Sequence, residues 1–358
     1  MPRVKIGARW VGDNAPTYFI ADIGANHDGT LDRAKKLIRM ASEAGADAAK
    51  FQNFRATEIV SKRGFESLGK TLSHQAKWKK SVFEVYQDAS LPWEWTPTLK
   101  EECDRAGIEY FSAPYDLEAV DMLDPFIPCF KIGSGDITWP EILRKVASKG
   151  KPVILSTGAS DFADVKRAVE TILAVNPALV LLQCNTNYTG SVEGFKHVHL
   201  RVLDSYRAAF PEVVVGLSDH TPGIAAPLGA VALGARVVEK HFTDDRSRTG
   251  PDHPFSMTPT EWRDMVDRTR ELELALGRSD KEVAENERET YIVQRRCLRA
   301  AKDLKAGTVL ARDDIVVLRP APTDGIFPYE LDRVLGKRLK QDLRSGDHFR
   351  WAIVESRS

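Results

Sequence analysis

The chain has 358 residues, and 51 Lys plus Arg balance 51 Asp plus Glu, leaving no charge excess for nucleic acid or a membrane surface. No apolar stretch approaches the length of a spanning helix, and MPRVKIGARWVGDNAP lacks the apolar core of a secretory signal. Cys103, Cys129, Cys184 and Cys297 stand far apart without CxxC spacing, so they read as buried thiols, and the expectation is a cytoplasmic enzyme with one large domain and one small.

From residue 17 to about 275, short apolar runs alternate with amphipathic stretches. In chain order the runs are TYFIADIG (17–24), DAAKFQNF (47–54), GIEYFSAP (107–114), CFKIGS (129–134), PVILSTG (152–158), LVLLQCNT (179–186), VVVGLSDH (213–220) and RVVEKHF (236–242). Helical patterns lie between them. Leu31, Ala34 and Leu37 share one face of LDRAKKLIRMASEAG, as Val165, Val169 and Ile172 do in DFADVKRAVETILAV. Eight strand–helix units in about 260 residues predict an α/β fold, a (β/α)8 TIM barrel. An open doubly wound sheet is the alternative, but no Gly-rich dinucleotide fingerprint follows the first run.

Residues 55–95 interrupt this rhythm after the second run, with LSHQAKWKKSVFEVYQDA (72–89) expected to be helical and to shape a pocket. After residue 276 the pattern changes. GRSDKEVAENERETYIVQ is charged and linker-like, and the remainder alternates short β-like runs with Gly and Pro turns. The expected division is a barrel over 1–276, a linker over 277–292 and a small β-rich domain over 293–358.

In such a barrel the C-terminal strand ends form the active face. Here they carry Asp22, Lys50 and Gln52, Ser112, Lys131 and Ser134, and Ser156, followed by Thr186 and Tyr188, Ser218 and His220, and Glu239 and His241. Two lysines, several hydroxyls and the glycines of KIGSGD and STGAS suit an anion carrying phosphate and carboxylate groups. Two histidines on adjacent strands can share one divalent metal. Asp252, in the turn-like GPDHPFSM, is placed to hydrogen-bond a polyol. Singly, each residue has a plainer reading: a solvated lysine, a turn glycine, a core histidine or, for Asp22 and Asp219, a helix cap. Together, at matching ends of consecutive strands, they make a site. His27, His74, His197 and His199 fall outside this pattern and are read as structural.

ADIGANHDG, AAKFQNF, FKIGSGD, GKPVILSTG, LLQCNTNY, GLSDHTPG, EKHFTDD and GPDH resemble, in order, motifs of the sialic acid synthase family. The tail, with DLKAGTVLARDDIVVLRP and DGIFPYELDRVLGK, is similar to that family's antifreeze-like SAF domain. The resemblance implies condensation of phosphoenolpyruvate with an N-acylated amino sugar to give a nonulosonic acid and phosphate. The acceptor would be N-acetylmannosamine, its 6-phosphate or a 2,4-diacetamido-trideoxyhexose. IADIGANHDG with KFQNF looks closer to the neuraminic and legionaminic branches than to the pseudaminic one.

The resemblance also implies roles. Lys50, Gln52, Lys131, Ser134, Ser156 and Ser218, with Ser112 and Thr186, would hold phosphoenolpyruvate. His220 and His241 would hold a divalent metal, Mn2+ first and Mg2+ or Co2+ as alternatives. Glu239 would orient phosphoenolpyruvate or the attacking water. Asp22, Tyr188 and Asp252 would contact the sugar. Arg319 would reach the partner's site in a homodimer, with no nucleic acid or membrane involved. Asp22 stands where the family usually has glutamate, and CNTNY departs from its more common Cys-Thr-Asn order. Both differences fall on the sugar side. The rival readings are a metal-dependent sugar isomerase or epimerase on a TIM barrel and a non-catalytic carbohydrate-binding protein.

Overall fold

The computed structural model describes residues 2–69, 75–76, 78–188 and 190–355. They fall into two compact units, Met1–Gly277 and Arg278–Ser358. The first unit begins with a hairpin that the sequence reading did not anticipate, in which β1 (Arg3–Ile6) pairs antiparallel with β2 (Arg9–Gly12). Its two-residue turn starts at Gly7, whose φ of 56° favours glycine.

Eight parallel strands follow: β3 (Tyr18–Asp22), β4 (Ala48–Asn53), β5 (Glu109–Pro114), β6 (Phe130–Ile132), β7 (Val153–Ser156), β8 (Leu179–Cys184), β9 (Val214–Asp219) and β10 (Val237–His241). Their order is β5-β4-β3-β10-β9-β8-β7-β6, so the first and last barrel strands pair and the sheet curls into the expected barrel. Each strand reaches the next through a helix, and two of these helices show the local logic. Over Phe162–Leu173, Asp161 and Asp164 form a reciprocal capping box, a cap whose loss costs about 1 kcal/mol. That helix buries Val165, Ala168, Val169 and Ile172. The helix Thr96–Ala106 ends at Gly107, which takes the left-handed conformation at φ 73°.

Successive strand residues point to opposite faces, and this alternation divides the core in two. One set faces the helices and includes Phe19, Phe51, Tyr110, Phe130, Leu181 and Val238. The other fills the lower lumen, where Ile20, Ala48, Phe111, Ile154, Val180, Leu182 and Val237 pack with Val4, Ile6 and Val11 of the hairpin. The hairpin therefore plugs the N-terminal end of the barrel. The opposite end is left for polar side chains.

The insertion contains short helices at Ala56–Ile59, Lys62–Ser67 and Val82–Ala89. The helix expected over 72–89 begins only at Val82, because Ser81 and Glu84 form a capping box that starts it there. Leu72, Ser73, His74 and Lys77 lie outside the described residues. In the second unit an exposed helix, Arg288–Gln294, precedes β11 (Cys297–Ala300) and β12 (Ile315–Leu318), which pair antiparallel over a core containing Leu298, Ile326 and Phe349. All four cysteines are free and buried. Among the described residues, no helix is long and apolar enough to cross a membrane.

Candidate active site

The alternation that sends Ile20, Ala48 and Val237 into the lumen sends Asp22, Lys50 and Glu239 there as well, two residues nearer the C-terminal end. Lys131, Ser156 and Ser218 enter by the same step from β6, β7 and β9. Lys50 Nζ lies 2.6 Å from Asp22 Oδ2 and 3.9 Å from Glu239 Oε1. Lys131 Nζ is 3.4 Å from the same Glu239 oxygen, to which Ser218 Oγ donates at 3.2 Å. Gln52 Nε2 donates to Asp22 Oδ2 at 3.3 Å. Both lysines are buried, at 3% and 2% exposure.

The two lysines differ in how well the protein satisfies them. Burial opposes the charge on Lys50, but Asp22 and Glu239 outweigh it and hold its pKa above the ordinary lysine value. For Lys131 burial wins, with repulsion from Lys50 adding to it, and the pKa falls despite Glu239. Lys131 is thus a buried cation short of negative charge. Beside it, Gly158 N–H donates to Ser134 Oγ at 2.9 Å. A Cβ at residue 158 would run into Thr186 Cγ2 and Ser134 Oγ, so only glycine fits there. Asp22 Oδ1, Glu239 Oε2, Ser156 Oγ and His241 Nδ1 are buried with no hydrogen-bond partner among the described residues. Four such atoms in one lumen call for a polar ligand.

His220 and His241 face each other across the rim, their ring centroids 5.5 Å apart. His220 Nδ1 is 2.9 Å from the Asn185 carbonyl, which can only accept, so Nδ1 carries the proton and Nε2 presents its lone pair. Burial holds the pKa of His220 below the ordinary value. Burial, with His220 and Lys50 nearby, holds His241 far below it. Both rings are therefore neutral at pH 7, as metal ligation needs. His241 Nε2 lies 3.3 Å from Asp22 Oδ2, and Nδ1 lies 3.6 Å from Asp252 Oδ2. Among the described residues, no group of three or more His, Cys, Asp and Glu converges on one point. Two imidazoles and the unpartnered Asp22 oxygen nonetheless fit a divalent ion whose remaining positions fall to water or substrate oxygen. Tyr188 packs edge-on to His220 at 4.4 Å and Phe255 to His241 at 4.9 Å, fixing both ring planes.

Most of the residues expected at the site within the first unit are brought together; Ser112 is not, and Arg319 belongs to the second unit. Ser112 alternates with the lumen residue Phe111, so it points at the helices and bonds Asn53 Oδ1 at 2.5 Å. It belongs to the barrel wall, not to the lumen. Arg319 is exposed in the second unit. Asp252 accepts from Ala25 N–H at 2.9 Å and, with Tyr188, lines a cavity of about 400 Å³ above the histidines. His253 is fully buried between Thr243 Oγ1 at 2.7 Å and Asp28 Oδ1 at 2.8 Å, and straps the loop that carries Asp252.

Sequence reasoning missed Asp136 and the aromatic wall. Asp136 lines the same cavity with a buried Oδ2 that has no partner among the described residues, and burial raises its pKa to about 6. Its signal was its place two residues after Ser134 in KIGSGD. Phe54, Tyr86 and Tyr115 also line the cavity, with ring centroids 5.4 Å (Phe54–Tyr86) and 5.7 Å (Phe54–Tyr115) apart.

Residues 37–281 match the NeuB family and residues 295–355 the SAF domain. N,N'-diacetyllegionaminic acid synthase of Legionella pneumophila is 35% identical over 96% of this chain and 96% of its own. Human N-acetylneuraminate-9-phosphate synthase is 33% identical over 97% of this chain and 95% of its own. The crystal structure of an N-acetylneuraminic acid synthetase from Leptospira borgpetersenii, in complex with citrate, superposes with a TM-score of 0.70 at 29% identity. That match covers 80% of this chain and 94% of the other. With the family matched across most of the barrel and its relatives aligned almost end to end, this chain belongs to the NeuB family.

Proposed function

We propose that this protein condenses phosphoenolpyruvate with the open-chain form of an N-acylated amino sugar, giving a nonulosonic acid and inorganic phosphate. The observation that carries this reading is the lumen itself. Two buried lysines, one of them short of negative charge, stand beside unpartnered carboxylate and hydroxyl oxygens below a pair of neutral histidines. An isomerase has no need for the cationic half. The relatives' names include an N,N'-diacetyllegionaminic acid synthase and an N-acetylneuraminate-9-phosphate synthase, which supports the same reaction class.

Lys131 and Lys50 hold the phosphate and carboxylate of phosphoenolpyruvate, with Ser134, Ser156, Ser218 and the Thr186 edge supplying hydrogen bonds. The C2=C3 π pair forms the bond from C3 to the sugar aldehyde carbon. The C=O π pair moves to the aldehyde oxygen, which takes a proton from solvent and becomes a hydroxyl, and C2 becomes cationic. Water adds at C2, and Glu239, held by Ser218 and Lys131 through one oxygen, accepts its proton on the other. The C2–O bond to phosphate then breaks as the C2 hydroxyl gives up its proton to the departing phosphate, leaving a ketone and inorganic phosphate. Asp22, Tyr188 and Asp252 orient the sugar. His220 and His241 would hold a divalent ion, Mn2+ foremost, which when bound supplies Lewis-acid polarisation of the aldehyde.

Phosphate release should require phosphoenolpyruvate and an amino sugar together, stop on chelation and return with Mn2+. His220→Ala should lower Mn2+ binding in a direct titration and should resist rescue. Release with either substrate alone, or none with any amino sugar, would refute the reading.

The active unit is a homodimer in which Arg319 of one chain completes the partner's site, a reading supported by the SAF match and by the exposure of Arg319. Mixing His220→Ala with Arg319→Ala chains under subunit exchange should restore about a quarter of wild-type activity, because random pairing makes half the dimers mixed with one sound site each. No recovery despite proven exchange would mean that Arg319 does not act in trans.

A further inference from the structure

Polar side chains tie the loop after β3 to the loop after β10. Asn26, fully buried, donates through Nδ2 to the Phe242 carbonyl and to Ser256 Oγ, both at 2.9 Å. Ser256 Oγ in turn donates to the Asp252 carbonyl at 2.7 Å. Beside them His253 has Nε2 at 2.8 Å from Asp28 Oδ1 and Nδ1 at 2.7 Å from Thr243 Oγ1. The Asp28 carboxylate only accepts, so Nε2 carries a proton and donates it. Arg33 Nε and Arg248 Nη2 both lie on the other oxygen of Asp28, at 2.9 and 3.0 Å, which leaves Oδ1 for the imidazole. A Cβ at Gly250 would come within 2.7 Å of the His253 ring, so the approach to that ring is filled by backbone.

Asp252, the neighbour of His253, is the residue whose place this arrangement sets. It precedes a helix of only three residues, His253–Phe255, and its carboxylate makes no capping bond to that helix. So short a helix has little hold of its own. The carboxylate reaches across to the β3 loop instead, where Oδ2 accepts from the Ala25 N–H at 2.9 Å and lies 3.6 Å from His241 Nδ1. A Cβ at Gly24 would stand 2.5 Å from the same oxygen, so the two loops meet closely there. A histidine kept only to fill the core could take its partners from any element. His253 takes both from the two loops whose separation decides where Asp252 points.

We infer that Asp28 and His253 are positioning residues that act through Asp252. The pair fixes the β10 loop against the β3 loop and so holds the Asp252 carboxylate where it meets the sugar. This inference rests on the condensation proposed above.

The test compares Asp28→Gly with Asp28→Asn in the full chain. Asp28 has φ of 49°, which both replacements tolerate, but only Asn keeps an oxygen for His253 Nε2. His253→Ala would open a hole in the core, so the Asp28 variants carry the argument. The first readout needs no substrate: hydrogen exchange at the Ala25 amide, followed by NMR. It should quicken on the order of tenfold in Asp28→Gly and stay within about twofold of wild type in Asp28→Asn. The second is phosphate release from phosphoenolpyruvate with N-acetylmannosamine, its 6-phosphate or 2,4-diacetamido-2,4,6-trideoxymannose, whichever the wild type uses best. Asp28→Gly should raise KM for that sugar about tenfold and leave KM for phosphoenolpyruvate within about twofold, and Asp28→Asn should restore most of the loss. In an Asp252→Ala background, Asp28→Gly should add no more than about twofold, because the route it acts through is already gone. Unchanged exchange at Ala25, an unchanged sugar KM, an equal rise in both KM values or full additivity with Asp252→Ala would each overturn the inference and leave the condensation standing. If none of the three sugars drives release by the wild-type chain, the condensation and the inference fall together.

Discussion

Neighbouring residues on the same two strands build two buried charge clusters of opposite character. On the outer face of β9 and β10, Lys240 Nζ lies 2.5 Å from Asp219 Oδ2 and donates to the Thr221 carbonyl at 2.6 Å. The Asp219 carboxylate also accepts from the Thr221 N–H and hydroxyl. Both charged side chains are 1% exposed and well partnered. One residue away, on the inner face, Glu239 is shared by Lys131 and Lys50 at 3.4 and 3.9 Å, and its second oxygen has no partner among the described residues. The outer cluster is closed and holds the barrel wall together. The inner one is open, and its unsatisfied valences are what a ligand completes. Buried charge by itself does not mark a site; incomplete pairing does.

The sharpest way to break this comparison is to remove one lysine from each cluster. Lys240→Met strands Asp219 in the wall, and breaking a buried pair costs about 3–5 kcal/mol. For a unit of this size that amounts to a fall in Tm of roughly 10 °C, measurable by calorimetry. Lys131→Met should behave in the opposite way. It removes a cation that burial already disfavours, so Tm should move by no more than about 2 °C. The same variant should lower kcat/KM for phosphoenolpyruvate by about thirtyfold or more, equivalent to roughly 2 kcal/mol of transition-state binding. If the two variants exchanged these signatures, the inner cluster would be the structural one.

A smaller effect sharpens the same contrast at Asp136. Burial raises its pKa to about 6, so folding takes up a proton between about pH 4 and pH 6. The stability associated with the neutral carboxyl is full below the unfolded value and is lost as pH rises through about 6. Asp136→Asn should flatten that decline, by on the order of 1 kcal/mol once partial exposure to the cavity is allowed for. Denaturation at pH 4 and pH 7 measures it. A decline as steep as wild type would mean that another group produces it.

Strand count, helix faces and caps were legible in the sequence because each depends on nearest neighbours. Leu37 and Val169 report their helices through a 3.6-residue repeat, and Ser81 with Glu84 three residues on carries the local signature of a helix start. The hairpin at Arg3–Gly12 was also legible in principle, through a glycine turn between alternating residues, but its purpose was not: only the closed barrel shows an open end that Val4, Ile6 and Val11 must fill. The motifs that marked the strand ends likewise came from the chain alone.

What the sequence could not assign was the face on which each polar residue stands. A strand in a parallel barrel is apolar on both sides, so its run carries no alternation from which to read inside from outside. Ser112 and Lys131 look equivalent as strand-end polar residues, yet Phe111 takes the lumen position beside Ser112, whereas Ile132 takes the helix-facing position beside Lys131. The same ambiguity hides the difference between Lys240 and Lys50. Closure of the sheet decides it, because the common register of the eight strands fixes which residue of each neighbouring pair enters the lumen. The apolar wall of the cavity likewise arises only when the insertion folds back over the rim, bringing Ile59, Val85 and Tyr86 to one side of a space that Asp136 and Asp252 bound on the other.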